Sequence, residues 1–333
     1  MPASRSAATF CAMLNTQLSS VLKASADPIR LDILRLLKRD SLAASELASV
    51  LQVKQSALSH HLKVMTQSQW LSPRREGNML FYRRQLSSDS ELMPMQRGIL
   101  QVVDAQPLSE QHASALQQIR AERQQACAEF FAEHANELDA VTDRIAGYQH
   151  YAATLQQALN QLHLAHGKSA LEIGPGKGGF LSYLSQQFDQ VYALDIAEPM
   201  LALARSQSAG LNNIEFVHGD TQALLAKGLT VDFAAVNMVL HHIPSPAELF
   251  AECWQLLNTN GWLVITDLCA HEQDWVREAC GDFWLGFDPD ELLQWATSAG
   301  FAPQPPVFLG LRNGFQVQIQ LFQKTLAPGQ LTQ

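Results

Sequence analysis

Residues 170–180 read A-L-E-I-G-P-G-K-G-G-F, and this stretch decides the architecture of the larger part of the chain. A short apolar run ends in Glu172, passes through four glycines, and leads into an amphipathic segment. That is the pattern of a strand that stops, turns tightly and opens a helix. Glycine tolerates the left-handed backbone that such a bend requires. Gly174, Gly176 and Gly178 are therefore expected to let the main chain approach a ligand, with the free N–H groups of the helix start turned toward it.

Downstream, apolar runs alternate with amphipathic segments: 170–173, 190–194, 214–217, 233–236 and 262–266. This βαβ rhythm predicts an open, mostly parallel sheet with helices on both faces, and such sheets bind ligands beyond the carboxyl ends of their strands. Each of the first four runs ends on a polar residue: Glu172, Asp195, Asp220 just past the third, and Asn237. Gly174, Gly176 and Gly179 also fit G-x-G-x-x-G, so a dinucleotide is one reading of the site. A pyrophosphate, however, would be repelled by Glu172 two residues before the first glycine. A cationic nucleoside suits the three carboxylates better. S-adenosylmethionine carries an ammonium group and a sulfonium. Asp195 could accept both ribose hydroxyls and Asp220 the adenine amino group. His241 and His242 follow the fourth strand, where a second substrate would lie, and are candidates for a catalytic base or for structural residues. Tyr148 and Tyr151 are candidates either for capping the pocket or for the core.

The front of the chain is different. Phe10, Met13, Leu14, Leu18, Val21 and Leu22 recur at helical spacing, and Asp27-Pro28 starts a second helix with Ile29, Ile33, Leu34, Leu36 and Leu37 inward. A third helix is expected over 43–51 and a fourth over 55–67, separated by a brief turn. On the fourth, Leu58, Leu62 and Met65 form one stripe. Gln55, Ser56, Ser59, His60 and Lys63 form the opposite one, with side chains suited to base edges or phosphates. A β-hairpin follows with Glu76-Gly77-Asn78 at its tip and Arg74, Arg75, Arg83 and Arg84 on its arms, a wing suited to phosphate. Further on, 91–103 reads as a helix ended by Pro107, and a long polar helix begins near Gln111.

Composition supports this division. The chain of 333 residues carries a formal net charge of −9. Residues 1–90 hold twelve Lys and Arg against six Asp and Glu, a net +6, which leaves −15 for the remainder. A basic front and an acidic rear suggest that only the front meets a polyanion. The five cysteines are scattered without a C-x-x-C, so neither a disulfide framework nor a metal site is expected from their spacing. No apolar run reaches the ~20 residues of a membrane span, and the first residues lack the pattern of a signal peptide, so a cytoplasmic location is expected.

Two resemblances follow from these motifs. The runs A-D-P-I-R-L-D-I-L-R-L-L (26–37), E-L-A (46–48) and Q-S-A-L-S-H-H-L-K-V-M (55–65), with the hairpin after them, resemble the ArsR-type winged-helix repressors. The resemblance implies binding to a near-palindromic double-stranded DNA operator as a homodimer. The helix around 10–22 and the one after Glu91 would form the dimer interface. Metal-sensing members carry paired cysteines in the helix that here reads S-E-L-A-S-V-L (45–51), so heavy-metal sensing there is not expected. The runs E-I-G-P-G-K-G-G, A-L-D-I, H-G-D and N-M-V-L-H-H resemble the successive motifs of class I methyltransferases. L-L-N-T-N-G-W-L-V-I-T-D (256–267) resembles their fifth-strand segment, and residues 307–322 their closing antiparallel hairpin. This implies a Rossmann-like, seven-stranded, mostly parallel sheet with an antiparallel last strand. It also implies a site for S-adenosylmethionine or S-adenosylhomocysteine at Glu172, Gly174, Pro175, Gly176, Gly178, Asp195, Ile196, Asp220, Thr221 and Asn237. Residues 128–139, with Leu138 where the pattern often has Trp, resemble the start of methyltransferase domains fused behind ArsR-type heads.

The expected organisation is thus a winged helix-turn-helix over 10–90, a helical dimerisation or connecting segment over 91–144, and a methyltransferase domain over 145–325. Two functions follow. In one, a transcriptional regulator senses the cofactor or its product. In the other, an enzyme methylates a small molecule and regulates itself through its DNA-binding head. Methylation of the DNA is not expected, because the fourth-strand exit lacks the Pro-Pro-aromatic string that holds a flipped base. Arsenite methylation would need several convergent thiolates, for which Cys269 and Cys280 make a thin case.

Overall fold

Asp27 caps the first polar helix start of the chain: its carboxylate accepts the Arg30 N–H at 3.2 Å, and Pro28 occupies the first turn. The computed structural model describes residues 7–86, 91–135, 144–162 and 168–325. The chain divides into two units, 1–122 and 123–333.

In the first unit α1 (Ala7–Ser25), α2 (Pro28–Leu36), α3 (Ala44–Leu51) and α4 (Gln55–Gln67) are followed by a hairpin of β2 (Leu71–Glu76) and β3 (Met79–Arg84). A two-residue strand, β1 (Leu42–Ala43), adds to the far side of β3 and was not expected from the sequence. The α3–α4 turn passes through Gln52 in the left-handed region, at φ 54°. Ile33, Leu34, Leu36, Leu47, Val50, Leu58, Leu62 and Met65 meet in one core with Val21 and Trp70. Trp70 is fully buried, and its indole N–H donates to the Val21 carbonyl at 3.0 Å, tying the base of the wing to α1. Leu22 departs from the expected inward face and is exposed. The side chains of Phe10 and Met13 lie outside the described residues. α5 (Met93–Asp104) and α6 (Glu110–His134) follow, and the division between the units falls within α6.

The second unit is a sheet with strand order β10-β11-β8-β7-β4-β5-β6. β4 (Ser169–Ile173), β5 (Gln190–Asp195), β6 (Ile214–His218), β7 (Val231–Asn237) and β8 (Leu257–Leu268) are parallel. β11 (Gln316–Lys324) runs antiparallel between β8 and β10 (Val307–Gly310), as the closing hairpin predicts. A short β9 (Phe301–Pro303) also pairs with β11, so the sheet has eight strands rather than seven. Successive parallel strands lie to either side of β4, so the chain reverses its winding direction there. The crevice beyond the carboxyl ends of β4 and β7 is where such a sheet takes a ligand.

Residue 135 is the last described residue of the segment 128–139, so Leu138 lies outside the described residues.

Candidate functional site

The β4 strand delivers Glu172 to the carboxyl edge of the sheet, fully enclosed. One oxygen accepts from the Asn237 side chain at 3.4 Å; the other, like the Asn237 carbonyl oxygen, is buried with no protein partner. Burial pushes the Glu172 carboxyl up to about 8, and the Asn237 hydrogen bond works against that rise. Two adjacent buried acceptors without donors form a site that calls for a ligand rich in donors or positive charge.

The glycine bend differs in detail from the expectation. Gly174, Gly176 and Gly178 are all left-handed, at φ 66°, 55° and 83°. Only Gly176 looks into open space. A Cβ on Gly174 would fall 2.5 Å from Val239, and one on Gly178 would meet Ser208 and Leu181 at 3.1 Å. At Gly174 and Gly178 glycine is therefore also required by packing. The bend continues as a turn closed by Gly178 N–H on the Pro175 carbonyl, and the next helix (Leu181–Gln187) begins only at Leu181 with seven residues. The N–H groups of Gly174 and Gly178 are thus spent on the Leu194 and Pro175 carbonyls.

Asp195 stands at the end of β5, half-buried, its carboxylate accepting the Ala197 N–H at 2.9 Å. Burial lifts its carboxyl to about 6, held in check by the Ala197 and Ile196 N–H groups and by His218. The Ile196 carbonyl is engaged with His218 at 3.0 Å. Asp220 is already occupied: one oxygen caps the helix Thr221–Ala226 through Ala223 N–H at 2.9 Å, and the other accepts from Gln124 at 3.0 Å. An adenine amino group would have to share that carboxylate or displace Gln124. Thr221 is buried, and its hydroxyl donates to Glu252.

Past β7 the chain turns through Met238, left-handed at φ 52°, and enters the short 3₁₀ turn Leu240–His242. This turn buries both histidines. Asp267, at the end of β8, accepts from the His241 backbone N–H at 3.2 Å and meets its Nδ1 at 2.7 Å. Burial alone pushes the His241 imidazole down, but Asp267 and Asp282 outweigh it and hold the group at about 9. His242 goes the other way, pushed well below its ordinary value by burial and by the neighbouring His241. The pair therefore divides into a charged ring and a neutral one. Asp267 and Asp282 were missed in the sequence reading. Asp267 obeys the rule applied to the first four strands, a polar residue at the carboxyl end, whereas nothing in the sequence around Asp282 marks it.

Several side chains close this region. Phe131 meets the His242 ring edge-on at 4.7 Å and packs with Ala135, Ala197 and Met200. Tyr151 is core, while Tyr148 is half-buried against the bend at Gly179. Burial pushes the thiols of Cys127, Cys269 and Cys280 up to about 12, 11 and 12, far from thiolate chemistry.

On the first unit, Gln55, Ser56, Ser59, His60 and Lys63 are all exposed along one face of α4, with the Ser59 hydroxyl turned back onto the Gln55 carbonyl at 2.8 Å. The four wing arginines divide. Arg75 is exposed and Arg83 half-buried. Arg74 pairs with the buried Glu76. Arg84 forms a two-pronged pair with Asp104 at 3.0 and 2.6 Å and also donates to the Leu34 carbonyl. Arg84 thereby fastens the wing to α2 and α5.

Comparison with known proteins agrees with this division. Residues 27–68 match the family described as bacterial regulatory protein, arsR family, and residues 171–265 match the methyltransferase domain family. An arsR-type helix-turn-helix precedes a class I methyltransferase domain. The chain is 27% identical over 150 residues to malonyl-[acyl-carrier protein] O-methyltransferase of Marinomonas sp., covering 43% of this chain and 54% of that protein. It is 23% identical over 150 residues to a ubiquinone biosynthesis O-methyltransferase of Leptothrix cholodnii, covering 40% and 64%. It thus spans only about half to two thirds of the length of these relatives. Among solved structures, magnesium protoporphyrin IX methyltransferase of Synechocystis, determined with S-adenosylhomocysteine, has a TM-score of 0.50 at 16% identity over 60% of this chain and 99% of that one. The [4+2]-cyclase SpnF has a TM-score of 0.51 at 15% identity, over 62% and 97%. A cyclase on the same fold shows why the chemistry must be argued from the site.

Proposed function

We propose that the chain is a DNA-binding transcriptional regulator whose second unit binds S-adenosylmethionine or S-adenosylhomocysteine. The observation that carries this is the buried Glu172–Asn237 pair, with two acceptor atoms lacking donors, at the carboxyl edge of a sheet whose winding reverses there. The ligand's ammonium group supplies the missing donors, and Asp195 offers an acceptor to the ribose. The head contacts an operator through the exposed face of α4 and through Arg75 and Arg83. It acts as a homodimer, for which the uncovered Leu22 on α1 and Val102 on α5 (45% and 63% exposed) offer apolar surface. Lacking a membrane-spanning helix among its described residues, the chain works in the cytoplasm beside its DNA.

The buried His241–Asp267 pair favours a second reading in which the bound cofactor also methylates a small molecule. Of the two rings, the neutral His242 is the one able to take a proton from an acceptor, while Asp267 holds His241 in its charged form. Methyl transfer from the sulfonium is chiefly a matter of positioning, so no larger catalytic apparatus is needed.

Calorimetric titration with each ligand tests the cofactor reading, and operator affinity with and without each ligand tests regulation. Regulation requires the ligand to discriminate between two conformations. The expected result is binding of at least one ligand that Asp195→Ala weakens by roughly 10–100-fold, the cost of a lost charged hydrogen bond. Binding of neither ligand would overturn the cofactor reading. An operator affinity identical in all three states would overturn the regulatory one.

A further inference from the structure

We infer that His241, His242 and Asp282 form a site for a divalent transition-metal ion of the zinc class. This goes beyond the cofactor reading and does not depend on it. The three side chains are buried, each offers one donor atom, and those atoms lie within 4.8 Å of one another. Among the described residues it is the single grouping of that kind. The nearest approaches are 3.8 Å from His241 Nε2 to an Asp282 oxygen and 3.6 Å from His242 Nδ1 to the same oxygen. Ligand atoms 2.0–2.1 Å from a tetrahedral ion lie about 3.3 Å apart, so these two pairs close by about half an ångström and the third, within the 4.8 Å bound, by no more than about 1.5 Å.

The surroundings fit the chemistry. Asp267 takes Nδ1 of His241, which leaves Nε2 as the nitrogen facing Asp282, and an ion bound there displaces the proton that Nε2 carries in the charged ring. A carboxylate behind a ligating histidine fixes the ring and makes its other nitrogen a better donor. The two imidazoles are held 4.1 Å apart by centroid, so both can address one ion. Two nitrogens and one oxygen suit zinc, cobalt or nickel, whereas magnesium and calcium prefer oxygen alone. Three protein ligands leave a fourth position for water or an oxygen of the methyl acceptor. The turn Leu240–His242 and the loop after the helix Trp275–Cys280 are joined here. The His241 carbonyl accepts from the N–H groups of Phe283 and Trp284 at 2.9 and 3.0 Å, so the backbone holds the ligands together without an ion.

Cobalt(II) is the probe. The full chain, freed of metal with a chelator, is titrated with Co²⁺ and its visible absorption followed. Expected is one Co²⁺ per chain, with the intense d–d bands of a low-coordinate nitrogen and oxygen site, displaced by Zn²⁺ and not by Mg²⁺. His242→Gln and Asp282→Asn should abolish the bands. Asp267→Asn should weaken binding by roughly 10–100-fold, as expected for a residue behind a ligand. A wild-type spectrum no different from hydrated Co²⁺ would overturn the site, and that result does not depend on whether any variant folds. Bands that survive both ligand substitutions would also overturn it. S-adenosylhomocysteine binding is measured on the same preparations, so loss of the metal site and failure of the cofactor reading register separately.

Discussion

Replacing Glu172 with glutamine removes a carboxyl that must lose a proton before it can pair with a cation. With Glu172 at about 8 and Asp195 at about 6, Glu172 is about 90% protonated at pH 7 and Asp195 about 10%. Binding S-adenosylmethionine as an ammonium ion against ionised carboxylates should then expel about one proton, since a free α-amino group at this pH takes up only about a tenth. The affinity should improve roughly tenfold from pH 6 to pH 7, about 1.4 kcal/mol, because each unit lowers the cost of ionising Glu172. Glu172→Gln should bring the released proton close to zero and flatten that dependence. Titration calorimetry in buffers of different ionisation enthalpy reads the proton count directly. The unliganded protein supplies the opposite sign. Its folded Glu172 has a pKa above the ordinary 4.5, so the native state holds the extra proton, and its stability should fall as pH rises from about 4.5 to about 8. Proton release in wild type no larger than in Glu172→Gln would refute the placement of the cation at this carboxylate.

Gly174→Ala should destabilise the second unit by about 1–3 kcal/mol, because its Cβ would fall 2.5 Å from Val239 in a left-handed backbone. Thermal unfolding should show partial recovery in the double variant Gly174→Ala, Val239→Ala. Arg84→Ala should lower the stability of the first unit by about 1–3 kcal/mol through loss of its two bonds to Asp104, read by denaturant unfolding. Arg75→Ala should leave stability nearly unchanged, and Arg75→Ala and Arg83→Ala should each reduce the salt dependence of DNA binding by about one unit of slope. An unaltered slope in both would remove the wing from the interface.

The alternation of apolar runs and polar strand ends determined the sheet, because a parallel strand buried on both faces has little freedom in composition. The left-handed bend after β4 was legible for the same kind of reason: few residues other than glycine accept three such conformations within five positions. In the first unit the buried stripe Leu58, Leu62 and Met65 set which face of α4 looks outward, since a helix buries only one side. What the sequence could not specify was how each polar side chain is spent. Arg84 and Arg83 are neighbours on one strand, and the alternation of strand faces sends one to Asp104 while leaving the other half-buried. Gly174 is a glycine because of Val239, 65 residues away. Asp220 and Thr221 look like ligand contacts by position, yet a helix cap, Gln124 and Glu252 engage them. The cluster of His241, His242 and Asp282 depends wholly on tertiary structure. Its third member comes from a loop some forty residues on, brought to the histidines by backbone hydrogen bonds that no local pattern encodes.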